Sequence, residues 1–163
     1  MAGSFELDVN HKLWVACKCD RVDMVDFYIS LHGDMNYRES GLTCLGIAVL
    51  KNKLMAVRLL LNAGADAKFQ DQYGMTALHT AAYSCQTPDI ITALLIHGAD
   101  PSIEAIFAYT PGQISKMSGK NEIYISGVTS WKNTIQNQLQ NDDTSLLSWL
   151  PSDIFQIIWD FIE

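Results

Sequence analysis

Four histidines, four cysteines and one pair of adjacent carboxylates are the residues of this chain whose types could carry chemistry. Hydrolysis or group transfer needs a nucleophile, a base within hydrogen-bond reach and a group that orients the base. His11, His32, His79 and His97 stand in no spacing that supplies such partners. Asp142 and Asp143 could serve general acid–base work, but their neighbours Asn141 and Thr144 mark a solvated linker. Cys17 and Cys19 are one residue apart, which is not a zinc-chelating spacing, and Cys44 and Cys85 have no close Cys or His except His79 near Cys85. The cysteines therefore read as free, small, buried thiols that behave as apolar side chains. No Gly-rich loop is built to cradle phosphate. The sequence reads as non-enzymatic, with no catalytic residue, metal or cofactor.

The elements that would position any site follow from composition and pattern. The chain has 163 residues, of which 48% are hydrophobic and 18% charged. That suits one domain with a short appendage rather than a disordered chain. Lys and Arg total 11 against 18 Asp and Glu, giving a net charge of −7, so a broad phosphate-gripping face is excluded. No apolar run approaches the roughly 20 residues that span a bilayer. The opening Met-Ala-Gly-Ser-Phe-Glu-Leu-Asp is not a secretion signal, and the closing Asp-Phe-Ile-Glu carries no lipidation box. The expectation is a soluble cytoplasmic protein, with the nucleus as an alternative, and no membrane or nucleic-acid partner.

Three segments repeat. Val25-Asp-Phe-Tyr-Ile with His32-Gly-Asp, Val57-Arg-Leu-Leu-Leu with Gly64-Ala-Asp, and Ile91-Thr-Ala-Leu-Leu with Gly98-Ala-Asp close units whose final aspartates, Asp34, Asp66 and Asp100, lie 32 and 34 residues apart. Leu45, Ala48 and Val49 stripe one helix, and Val57, Leu60 and Leu61 stripe a second at i, i+3, i+4. Small residues such as Ala48, Ala81 and Ala82 let helices approach. Gly64 and Gly98 suit left-handed caps. One such pair cannot bury its own apolar faces, so the units must stack.

Gly74-Met-Thr-Ala-Leu-His-Thr-Ala-Ala with Leu94-Leu-Ile-His-Gly-Ala-Asp resembles an ankyrin repeat, and the resemblance covers roughly residues 7–103. A weaker fourth copy follows at Tyr109-Thr-Pro-Gly-Gln-Ile-Ser, where Gly112 and Gln113 replace the usual Leu-His. Its second helix is interrupted at Ser118-Gly-Lys, and Trp131 opens a separate helix with a stripe at 131, 135 and 139. The resemblance implies an all-α ankyrin-repeat solenoid, three clear repeats plus a degenerate fourth, with a C-terminal helical extension. The divisions are 7–130 for the solenoid, 131–144 for a capping helix and linker, and 145–163 for a terminal segment. It also implies that His79 bonds backbone to tie turn to helix, while His32 and His97 lie at helix ends whose partial charge favours them. Protein partners would be held on the turns and on the concave face. The residues assigned to that contact are Tyr37, Arg38, Phe69, Gln72, Tyr73, Ile106 and Phe107 in the turns, with Leu50 and Tyr83 on the first helices. Tyr73 and Phe107 occupy equivalent places, and exposed aromatics are what interfaces favour.

The last stretch, Ser145 to Glu163, is the most apolar. Pro151 and Asp153 suit a helix start, and only Gln156, Asp160 and Glu163 are polar from Ile154 on. Leu150-Pro-Ser-Asp-Ile, with Ile158 and Ile162, resembles the opening of an F-box, Asp153 standing where Glu is usual. A truncated F-box-like segment after ankyrin repeats is similar to the PRANC-type poxvirus ankyrin proteins. That resemblance implies an adaptor whose Leu150, Pro151, Ile154, Ile158, Trp159 and Ile162 recruit the adaptor subunit of a cullin-type ubiquitin ligase. The alternative is a stoichiometric binder or inhibitor in which the terminal helix only caps the solenoid.

Overall fold

A threonine opens the first helix of each later unit, because its hydroxyl can satisfy amide donors that the helix leaves unpaired. In the computed structural model, Thr43 accepts from the Gly46 amide at 3.0 Å, and Thr110 accepts from the Gln113 amide at 3.4 Å. The backbone of residues 2–140 and the side chains of residues 9–138 are described. The helices are α1 (Ala2–Cys19), α2 (Val22–Ser30), α3 (Cys44–Leu50), α4 (Leu54–Asn62), α5 (Ala77–Ser84), α6 (Asp89–Ile96), α7 (Pro111–Met117) and α8 (Asn121–Gln140). Between α2 and α3 lies a small hairpin, β1 (Arg38–Glu39) with β2 (Leu42–Thr43), antiparallel with Arg38 opposite Thr43. Ser40 and Gly41 at its turn both have positive φ, as a tight hairpin of this kind requires.

The helices stack in two rows. First helices α1, α3, α5 and α7 pack in sequence, and second helices α2, α4, α6 and α8 pack in sequence beside them. Small residues recur where the first helices meet: Ala16, Ala48, Ala81 and Ser115 are all buried. Val25, Val57, Ile91 and Tyr124 recur as buried anchors of the second helices. Gly64 and Gly98 take the left-handed conformation after α4 and α6, at φ +92° and +84°. In the first unit His32 takes that conformation, at φ +59°, and Gly33 falls one place later. A Cβ on Gly33 would lie 2.9 Å from the Tyr28 carbonyl.

The fourth unit corrects the reading of residues 118–139. The glycine that was expected to break its second helix, Gly119, lies in the preceding turn at φ +73°. The helix then runs unbroken from Asn121 to Gln140, so the boundary placed between residues 130 and 131 falls inside α8. Its apolar stripe runs back from Trp131 and Ile135 through Val128 to Tyr124, which matches helical spacing. Gly127 in mid-helix serves contact with α6: a Cβ there would lie 2.7 Å from Ile91 Cβ, and Thr92 Oγ1 donates to the Gly127 carbonyl at 3.0 Å. The boundary at 144/145 lies outside the described residues.

Candidate functional site

The loops that project between units are held by one repeated device. In α5, His79 Nδ1 accepts from the Thr76 amide at 3.0 Å, which fixes its proton on Nε2. That nitrogen donates to the Tyr109 carbonyl of the next unit at 3.1 Å. Burial lowers the His79 pKa below 6.5, because the charged ring would lose solvation and the acceptor nitrogen would be consumed. Trp14, at the equivalent place in α1, does the same outward work: its indole donates to the Leu42 carbonyl at 3.0 Å. Gln113 in α7 does the inward work, its side-chain oxygen accepting from the Thr110 amide at 2.8 Å. The departures from Leu-His in the first and fourth units are therefore substitutions that each keep one half of the device. Gly46 in α3 keeps neither half, and a cavity of about 20 Å³ lies beside it.

Two successive loops are also joined to each other. The Ile106 amide donates to the Tyr73 carbonyl at 2.8 Å, and Gln70 Nε2 donates to the Gly74 and Glu104 carbonyls at 2.9 and 3.4 Å. At their tips Tyr73 is 56% exposed, Ile106 48% and Phe107 85%. Phe107 and Ala108 both hold left-handed backbone, at φ +71° and +58°, whereas in the preceding loop only Gly74, the counterpart of Ala108, does so, at φ +70°. A phenylalanine in that region is strained by its Cβ, so the fold holds an aromatic outward against a local cost. Gln72, next to Tyr73, is exposed, and so is Arg38 in the β1–β2 hairpin of the first loop.

Tyr37 and Phe69 are placed differently. Tyr37 is half-buried and packs against the core, and Phe69 is half-buried with the Arg38 guanidinium 5.1 Å from its ring centre. Tyr37 thus braces its loop from the core side, while Phe69 meets Arg38 of the preceding loop. On the first helices Leu50 and Tyr83 are exposed, and Met117 is exposed at the same position in the fourth unit. Met117 was missed by sequence reasoning, although its distance from Thr110 equals that of Leu50 from Thr43 and of Tyr83 from Thr76. The residues assigned to ligase recruitment, from Leu150 to Ile162, lie outside the described residues.

Among the described residues no cluster of His, Cys, Asp or Glu could hold a metal ion, and no helix is long and apolar enough to cross a membrane. Cys17, Cys44 and Cys85 are buried free thiols, while Cys19 is exposed, contrary to the expectation for that residue. A hydrogen bond with Cys17 and burial push the Cys44 thiol up, and burial pushes Cys85 up to about 12. Such thiols are poor nucleophiles.

The model of ankyrin repeats in three copies matches residues 13–105, more than half of the chain. The chain belongs to the ankyrin-repeat family. Its ankyrin units resemble a stretch of fowlpox virus (strain NVSL) ankyrin repeat protein FPV031, 37% identical over 113 residues, which is 66% of this chain and 32% of that protein. They also resemble the RelA-associated inhibitor of Mus musculus, 30% identical over 76% of this chain and 14% of that protein. Protein phosphatase 1 regulatory subunit 27 of Homo sapiens is 46% identical over 37% of this chain and 39% of its own length. The matched stretch thus spans well under half of each relative.

Proposed function

We propose that this chain is a non-enzymatic, protein-binding adaptor of the cytoplasm. Its loop tips and first helices hold a target protein, and its segment from Leu150 to Ile162 brings a cullin-type ubiquitin ligase. The observation that carries the binding half is Phe107, the most exposed large apolar side chain described, held outward on strained backbone beside Tyr73 and Ile106. Well-placed exposed aromatics are the side chains from which interface hot spots are made. The support for the ligase half is the Leu-Pro-x-Asp-Ile pattern and the likeness to a poxvirus ankyrin protein. Catalysis would be by proximity, the chain raising the effective concentration of target near the ligase.

A second reading is a stoichiometric inhibitor without a ligase. It is favoured by relatives named as an inhibitor and as a phosphatase regulatory subunit. Affinity purification of the full chain and of a form lacking residues 145–163 separates the two. The adaptor reading expects the shortened form to lose the ligase adaptor subunit while keeping Phe107-dependent target proteins. Retention of the subunit by the shortened form, or its absence from the full chain, overturns the ligase half.

A further inference from the structure

The stack is finished differently at its two ends. Each helix pair has a backward side that meets the unit before it and a forward side that meets the unit after. On the forward side of α5, Leu78, His79 and Ala82 are buried under the fourth unit. In the fourth unit Gly112, Gln113 and Lys116 hold those places, and Gln113 and Lys116 are exposed. That end is faced with small and polar residues, as the last member of a stack should be, although Ile125 beside them is exposed.

The first unit is not finished in that way. A predominantly apolar groove of about 450 Å³ lies on the backward side of α1 and α2, its lining including Val15, Ala16, Met24 and Tyr28 together with Lys12 and Arg21. Val15 corresponds to Ile47 and Thr80, which the preceding unit buries, yet Val15 is 36% exposed. Met24 corresponds to Ala56 and Ile90, and Tyr28 to Leu60 and Leu94. Those four are fully buried, whereas Met24 and Tyr28 are only half-buried. The groove is therefore the face that every later unit covers with its predecessor, and among the described residues no helix pair lies over it.

The same chain carries a stretch in want of cover. From Ile154 to Glu163 only Gln156, Asp160 and Glu163 are polar, and so apolar a stretch is costly to leave in water. It follows the last unit, whose forward side is small and polar. To reach the groove of its own chain it must cross the three helix spacings from α8 to α2, about 24–30 Å. It must also return along α8, whose end at Gln140 lies about 24 Å past Tyr124, the counterpart of Val25. The combined path is about 34–38 Å, and residues 141–153 span at most about 45 Å fully extended. A strap so nearly stretched would forfeit much of its conformational freedom. A second copy needs no strap, because its segment approaches from solution.

We propose that the segment Ser145–Glu163 of a second copy docks in this groove, its apolar side chains over Val15, Met24 and Tyr28. When each segment lies in the other copy's groove, the exchange closes as a two-fold dimer and does not run on as an open chain. The proposal goes beyond the adaptor reading and stands without it, since the segment needs cover in either reading of function. Where the segment also recruits a ligase, the dimer withholds it and the monomer releases it, so recruitment falls as concentration rises.

The test is sedimentation equilibrium of the full chain and of two double variants, each checked for folding by circular dichroism. The full chain should be a dimer at about 100 μM and dissociate on dilution. Val15→Glu/Met24→Lys removes the groove, with Val15→Glu alone as its milder form, and Ile158→Ser/Trp159→Ser removes what fills it. Each should weaken association at least about tenfold. Mixed in equal amounts, the two double variants should form a dimer that neither forms alone, because one supplies an intact segment and the other an intact groove. Ile125→Ser, on the forward side of the last unit, should leave association unchanged. A full chain that is monomeric at about 100 μM, a dimer that survives either double variant, a mixture that stays monomeric, or loss of the dimer through Ile125→Ser overturns the proposal. Capture of target and ligase judges the adaptor reading separately, so either can fail alone.

Discussion

His79 joins two turns through one ring, and its protonation state decides whether it can. Nδ1 must accept from Thr76 while Nε2 donates to Tyr109. Burial lowers its folded pKa below 6.5, so the unfolded chain binds the proton more tightly. Its contribution to stability is therefore complete above about pH 6.5 and is lost as pH falls toward the folded value. Urea midpoints at about pH 7.5 and 5.5 should show this loss, and His79→Gln should flatten it while costing roughly 1–2 kcal/mol at the higher pH through the bond to Tyr109. Gly46 offers the converse. It lies inside α3 with its nearest prospective Cβ neighbour 3.4 Å away, at Thr43 Oγ1. Gly46→Ala should raise stability by about 0.5–1 kcal/mol in the same denaturation measurement, since helix interiors disfavour glycine. The role of His79 could be read from its motif. That Trp14 and Gln113 divide the same role could not, because only the stacked units show which carbonyl each faces.

At the scale of elements, α8 shows how context reverses a local preference. Helix propensity alone would favour Gly127→Ala by up to about 1 kcal/mol. The 2.7 Å approach of a Cβ to Ile91 makes the expected change a loss of about 1–3 kcal/mol, read as a lower melting temperature. A gain in stability would refute the close packing of α8 on α6. The loop bearing Phe107 and Ala108 works the other way. Phe107→Gly should stabilise by about 1 kcal/mol by relieving left-handed strain. The same variant should weaken retention of target proteins about tenfold, measured by pull-down against the unaltered chain. The helix pairs were legible from residue spacing, since Leu, Ala and Gly recur on a fixed period. The continuity of α8 was not. Gly119 looks like a helix breaker until the turn that uses its positive φ is placed, and Trp131 looks like a helix start until its stripe is traced back to Tyr124.

Among the described residues the units form a one-dimensional stack, each packed mainly on its neighbours through both helix rows. With four short units, coupling across the interfaces should keep unfolding to one transition. Trp14 reports the first unit and Trp131 the last, both nearly buried. Forms retaining only one of these tryptophans should give coincident urea midpoints by fluorescence, and separated midpoints would show that the ends unfold independently. Charge is likewise a property of the stack. Net charge alone suggests a uniformly acidic surface, yet Asp34, Asp66, Asp71 and Asp100 are each spent on an amide of their own loop. Sequence by itself determined the family, the period, the helix pairs and the loops that would carry Tyr73, Ile106 and Phe107, because a repeated unit repeats its local physics. Tertiary structure decided the rest. It separated Phe107, held outward, from Tyr37, packed against the core, and from Phe69, half-buried under the Arg38 guanidinium, set Met117 at the exposed position of Leu50 and Tyr83, and made one helix of residues 121–140. Exposure, strain and alignment depend on what each unit meets in the next, and spacing along the chain does not contain that.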